Sequence, residues 1–521
     1  MSQQKHQQQA RTFHYKYVDY IKTLALLVAN SSGIADLSEQ NVIAGAEQIA
    51  TFEAELFGIL EAPGKSDIYR PVVLRKFQNV TDQFAKNKSH GIDWVSIINK
   101  MHPEKTLVSA DDVVDVSTVG YFTKLMQLLH KTPLQTIVNY LHWRFVSQFL
   151  PYTSSNLRNF YFGMQNFMED PIKNTPRWRL CGFEPSFDPV ISFVFANAFI
   201  TEEVENCANE VLKNVKQATV RTIRSSVLLS DVEKLRAENK VSAMNFVLGI
   251  PESLKNFSVI SDYYKELSIS EDYFENLLIL RHFYKMKEFE VIKTPHYVPT
   301  SNKNFFKITT ISSIGSAYEF FENRVLIKVE NLVAPLFDPA YPEYKKYGIL
   351  GFVIAYEIMH AFNDADSIGI ERPRRHLYSE QTRLKYWSKH ECFMNQYDKY
   401  YISHPLNSER NLYVDGERSA LENIADSSAI QIAMQAYHDS HNKKQVDPSE
   451  ENDKSFFSSF ASLLCRPELE AFYLSRFNFA LRTLPRFRVV GSLANIDEFA
   501  RTFSCLKNTQ MNPAIKCNFW N

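Results

Sequence analysis

The chain is poor in glycine, with 15 in 521 residues, while Phe and Tyr reach 39 and 26. That balance suits a mostly helical protein with large side chains in its core. It also lacks an excess of charge of either sign, with a net value of -1. Nothing in that figure points to nucleic acid or an anionic membrane surface as a partner. No run of about 20 apolar residues occurs, so no transmembrane helix is written in this stretch. The opening "MSQQKHQQQARTFHYKY" has no apolar segment of the kind a signal peptide needs. Six cysteines are too few for a disulfide framework to be inferred in a chain this long. Four sequons, at Asn30, Asn79, Asn87 and Asn256, point the other way, toward a secreted glycoprotein, but the motif is short and frequent by chance.

What is present is ordinary for a globular protein, 45% hydrophobic and 22% charged, in a length that accommodates two or more domains. The N-terminal half spaces its apolar residues at three and four. Helices are expected over "YKYVDYIKTLALLVANS" and "DLSEQNVIAGAEQIATFEAELFGILEA", the second capped by Asp36 or Ser38. More are expected over 119–149, 201–228, 231–248 and 271–289. Near Lys293 the texture changes. "VIKTPHYVPTSNKNFFKITTI" and "NRVLIKVENLVAPLF" are rich in β-branched and aromatic residues and read as strands. A boundary is expected there, giving a helical domain over 1–295 and a second domain over 296–521. The polar run 441–454, "HNKKQVDPSEENDK", reads as a solvated loop.

Chemistry is concentrated in "GILGFVIAYEIMHAFNDAD". A zinc peptidase of the H-E-x-x-H type puts two histidines on one helical face, with a glutamate beside the first as general base. Here those five positions are Tyr356, Glu357, Ile358, Met359 and His360, so a phenol stands where the first ligand belongs. A phenol must shed a proton of pKa near 10 to bind metal well; neutral imidazole need not. Taken alone, the pentapeptide is more simply a hydrogen-bonded core pair. A second helix, "ALENIADSSAIQIAMQAY", shifts the balance, because Glu422 and Asp426 share one face. A later carboxylate is the usual third zinc ligand, and an aspartate one turn on can hold a ligating histidine by its other nitrogen.

These stretches resemble the neprilysin-like zinc endopeptidases, peptidase family M13. "GFVIAYEIMHAFND" is similar to the family's zinc helix and "LENIAD" to its glutamate helix. "FRVVGSLANIDEFARTFSCLKNTQMNPAIKCNFW" is similar to its C-terminal end. "NTPRWRLCGF" and "DYFENLLILRHF" extend the resemblance into the N-terminal half. It implies a mainly α fold with a smaller α+β part: a large helical lobe and a thermolysin-like catalytic lobe around a central cavity that admits short peptides.

Carried over by position, Glu357 resembles the general base, His360 the second zinc ligand, Glu422 the third ligand and Asp426 the carboxylate behind the ligands. Arg488 resembles the arginine that receives substrate backbone or carboxylate, a role suited to its forked donors. Ser316 and Ala317 fall on the substrate-aligning N-A-[FY] motif, with Ser316 replacing its Asn. Arg482 falls where the family has the histidine that stabilises the tetrahedral intermediate, and Ala480 replaces an aspartate two residues earlier. Losing a single oxyanion donor costs on the order of 10²–10³ in rate. With Tyr356 also in a ligand position, the expectation is a catalytically impaired homologue that binds short peptides. The alternative is an active zinc metalloendopeptidase whose single zinc is completed by Tyr356 or a nearby histidine.

The resemblance also implies a Cys392–Cys517 disulfide. It leaves Cys181, Cys465 and Cys505 matching cysteines whose partners lie in an N-terminal region that precedes this stretch in the family, and Cys207 without a counterpart. Either an incomplete reading frame or a genuine shortened form fits that pattern. Family members are usually membrane-anchored with an extracellular or cell-surface catalytic part, and that location is the expectation here.

Overall fold

A computed structural model of the chain describes residues 2–34, 37–61, 70–84, 91–102, 107–116, 119–168, 187–290, 315–319, 322–362, 377–404, 407–444, 449–465 and 482–521. Packing divides the chain into two compact units. One comprises Met1–Pro176, Ile269–Lys293 and Ala365–Pro373; the other comprises Arg177–Ser268, Thr294–Asp364 and Arg374–Asn521. The units interleave along the sequence, so residues 177–268 pack with C-terminal elements.

In the first unit, helices Ser2–Ser31 and Glu39–Glu61 pack through Val18, Ile21 and Leu24 against Ala46, Ile49 and Ala50, with Trp143 closing the cluster. The expected single helix over 119–149 is two, Val119–Lys131 and Leu134–Phe149. Pro133 interrupts it, since its ring disfavours helical conformation in the preceding residue and supplies no N–H. A two-stranded antiparallel ribbon, Arg70–Val73 with Val113–Val116, backs Leu74, Phe77 and Leu107.

The second unit is organised around helix Gly416–Lys444. Ile424, Ala425, Ala429, Ile430, Ala433, Ala436 and Tyr437 are fully or almost fully buried. A helix apolar on so many sides belongs in the middle of a core. Helices Glu202–Ser225, Phe352–His360, Glu380–Tyr397 and Pro485–Ala494 pack against it. Its start is fixed by Asp415, whose Oδ1 accepts from Arg418 N at 2.9 Å, and by Asp398, whose Oδ1 accepts from Gly416 N at 2.7 Å. Thr201 caps Glu202–Ser225 by accepting from Val204 N at 3.3 Å.

The sheet of this unit has the order Asn245–Gly249, Arg324–Lys328, Ala317–Glu319. The first pair is parallel and the second antiparallel. The helix expected over 231–248 therefore ends at Ser242, and "NFVLG" pairs with a strand far away in sequence. That non-local pairing overrides the local pattern. The expected strand within "NRVLIKVENLVAPLF" is Arg324–Lys328. The one expected in 291–311 lies outside the described residues.

A further reading is corrected. Residues 441–454 are not a loop throughout: Gly416–Lys444 continues through the first four, and Glu450–Leu463 covers the last five. Ser449 starts that second helix by accepting from Asn452 N at 3.2 Å, and Glu450, Glu451 and Asp453 fill a first turn that favours negative charge.

Disulfide Cys392–Cys517, with Cα atoms 5.7 Å apart, ties helix Glu380–Tyr397 to the C-terminal tail. Phe519 and Trp520 beyond it are buried, and the Trp520 carbonyl accepts from Ser226 Oγ at 2.7 Å. Among the described residues Cys207, Cys465 and Cys505 are thiols; Cys181 lies outside them. No described helix is long and apolar enough to cross a membrane.

Candidate active site

The motif helix is entered through a single π turn. Glu343–Lys346 leads into Tyr347–Gly351, whose five residues are all buried, and Phe352–His360 follows. Gly348 is required there: a Cβ on it would lie 2.7 Å from the Phe456 carbonyl oxygen and 2.9 Å from Ser459 Cβ. This close approach of helix Glu450–Leu463 fixes the depth of the motif helix in the core. Tyr378 Oη donates to the Phe362 carbonyl at 2.9 Å and holds its far end.

Spacing of four places Tyr356 and His360 on one face, with ring centroids 4.6 Å apart and nearly perpendicular. Helix Gly416–Lys444 lays Glu422 and Asp426 against that face. Tyr356 Oη donates to Glu422 Oε2. His360 Nε2 lies 4.0 Å from the same oxygen, and Arg482 Nε donates to it at 3.3 Å. Phenol, imidazole and guanidinium thus converge on one carboxylate oxygen.

Arg488, on helix Pro485–Ala494, does not join that group. Its Nε and Nη2 donate to Asp426 Oδ2 and Oδ1 at 2.7 and 2.6 Å, a forked pair around a fully buried carboxylate. Asp426 therefore holds an arginine. The guanidinium carbons of Arg488 and Arg482 lie 5.4 and 5.8 Å from the Tyr356 ring centroid, within cation–π range. Ala317 opens the last strand of the sheet, with Ser316 just before it, and the strand packs on the motif helix. Ser316 Oγ is buried and has no hydrogen-bond partner among the described residues.

Burial dominates the electrostatics. It pushes Glu357 up to about 8, against the pull of Arg482, so this acid is largely protonated at neutral pH. Burial, then Asp426, raises Tyr356 well above the usual phenol range, so it stays protonated. Burial lowers His360 and keeps it neutral, despite the pull of Glu422. Asp426 is pushed up by burial and drawn back by Arg488. Burial opposes the charge on Arg488, but Asp426 outweighs it and keeps the guanidinium firmly protonated.

A zinc ion of the H-E-x-x-H type needs three protein donors. This face supplies one imidazole, one carboxylate already engaged by Tyr356 and Arg482, and a protonated phenol. Among the described residues, no group of three or more His, Cys, Asp or Glu side chains is placed to hold a metal. The donor set does not fit the ion.

The structure brings Tyr356, Glu357, His360, Glu422 and Asp426, the residues singled out in the sequence, into one neighbourhood. The sequence reading did not anticipate the bond from Arg482 to Glu422. The local spacing carries no signal for it, because Arg482 is delivered by Thr483, whose Oγ1 donates to Asn423 Oδ1 at 2.8 Å inside the core.

Fold and motif together define the zinc-peptidase class of architecture. Residues 316–519 and residues 2–251 each match a domain of peptidase family M13, and the chain belongs to that family. It is 24% identical to neprilysin-11 of Caenorhabditis elegans, over 97% of this chain and 59% of that protein. It is 23% identical to neprilysin of Mus musculus, over 97% of this chain and 68% of that one. Thus the chain spans about three fifths to two thirds of these relatives' lengths. The inhibitor-bound zinc metalloprotease Zmp1 of Mycobacterium tuberculosis superposes with a TM-score of 0.80 at 18% identity, covering 98% of this chain and 75% of that one. PepO from Lactobacillus rhamnosis gives 0.77 at 15% identity, covering 98% and 76%. At those identities the structures show the shared fold.

Proposed function

We propose that this chain is a catalytically impaired M13 homologue that binds short peptides without cleaving them. The observation that carries the reading is the hydrogen bond from Tyr356 Oη to Glu422 Oε2. It ties a protonated phenol to the carboxylate that a zinc ion would take. Peptide binding is supported by the strand Ala317–Glu319 beside the motif helix and by the buried Ser316 Oγ just before it, which has no hydrogen-bond partner among the described residues. An added peptide strand gains affinity from main-chain hydrogen bonds alone. An extracellular or cell-surface location belongs to the same reading, by kinship with the neprilysins.

A library of short peptides carrying bulky apolar residues tests this. Binding should raise the melting temperature, and mass spectrometry should recover the peptides intact, with or without a chelator. Cleavage that a chelator abolishes would establish the competing reading, an active zinc endopeptidase. No shift across the library would remove peptide binding.

A further inference from the structure

We infer that Arg482 is the cation that faces Glu422 in this site, and that it blocks zinc independently of Tyr356. The inference rests on the reading above and goes beyond it. Arg482 Nε donates to Glu422 Oε2 at 3.3 Å, on the same oxygen that accepts from Tyr356 and faces His360 Nε2 at 4.0 Å. Its guanidinium carbon lies 5.8 Å from the Tyr356 ring centroid, over the position of the missing ligand.

Its placement is built in. Thr483, next in sequence and buried, donates to Asn423, next to Glu422 and also buried. Asn423 Nδ2 in turn donates to Ser419 Oγ at 3.0 Å, one turn earlier on the same helix. Arg482 is thus carried on a segment pinned beside Glu422.

Charge balance follows from these contacts. Two carboxylates, Glu422 and Asp426, face two guanidiniums, Arg482 and Arg488. A divalent cation at Glu422 would have to displace Arg482 from that carboxylate. The Arg482 side chain is 55% exposed, so solvent screens the repulsion between the two cations in part, and the obstacle is the competition for Glu422 together with the residual charge. Restoring the histidine at 356 supplies the third donor and leaves this obstacle in place.

The test measures zinc per chain and apparent zinc affinity by competition with a metallochromic chelator. It compares the full chain with Tyr356→His, Tyr356→His/Arg482→Gln and Tyr356→His/Arg482→Lys. Far-UV circular dichroism confirms that each is folded. Tyr356→His alone should bind weakly. The Gln double variant should hold one zinc with affinity about 100-fold higher, the upper end of what outer groups contribute at metal sites. The Lys double variant keeps the charge and should resemble Tyr356→His. Tyr356→His binding as tightly as the Gln double variant overturns the inference and leaves the proposed function intact. So does a Gln double variant that gains nothing. Stoichiometric zinc in the unsubstituted chain would instead sink the proposed function, so the two failures are distinguishable.

Discussion

Arg488 grips Asp426 through two parallel bonds, Nε to Oδ2 at 2.7 Å and Nη2 to Oδ1 at 2.6 Å, where the carboxylate is fully buried. The pair joins helix Pro485–Ala494 to helix Gly416–Lys444 and flanks Tyr356. It is a structural clamp as well as part of the site.

Removing one member of such a pair strands the other charge. Arg488→Ala should lower unfolding free energy by about 3–5 kcal/mol, read by urea denaturation. Arg488→Met with Asp426→Leu, which removes both charges and keeps much of the volume, should cost clearly less than Arg488→Ala. Equal losses for the two variants would show that packing, and not an uncompensated charge, sets the cost.

Glu357 gives the site a pH signature. Burial raises its folded-state value from 4.5 to about 8. Between those limits the native chain holds a proton that the unfolded chain has released, so this residue makes stability fall as pH rises. Glu357→Gln removes the titration. The variant should gain stability relative to the parent as pH climbs from about 5 to about 8, and the difference should level off above that. Denaturation curves at four or five pH values measure it. A difference that is flat, or that changes in the opposite direction, contradicts the burial argument.

Cys392–Cys517 closes a loop of 125 residues in sequence separation. In the chain-entropy model a loop of that order is worth roughly 4–5 kcal/mol. Cys392→Ala/Cys517→Ala should lose a comparable amount in non-reducing buffer and become insensitive to reductant. Exposed Cys465 should react with a thiol reagent in the native state without altering the melt. An unchanged melting temperature in the double variant would mean that the buried tail of Phe519 and Trp520 holds without the bridge.

Much of the site was legible because helical spacing does the assembly. Residues four apart share a face, so "YEIMH" and "ENIAD" declare their neighbours before any fold is known. The disulfide and Arg488 came through the resemblance to M13 proteins. What stayed hidden depends on distant partners. "NFVLG" reads as the end of a helix until Arg324–Lys328 lies beside it. The polar run 441–454 reads as loop until Ser449 is seen capping a new helix. Arg482 reads as a lost catalytic histidine until Thr483 and Asn423 bring it onto Glu422. Residues 177–268 join the second unit through the same kind of long-range packing.

The central claim is that phenol and guanidinium have taken the carboxylate that zinc would need. Metal content of the full chain, purified without chelator and dialysed against micromolar zinc, tests it most directly. The account predicts far less than one zinc per chain, with no change in melting temperature when a chelator is added. One tightly held zinc per chain, with a melting temperature that drops on its removal, would contradict it.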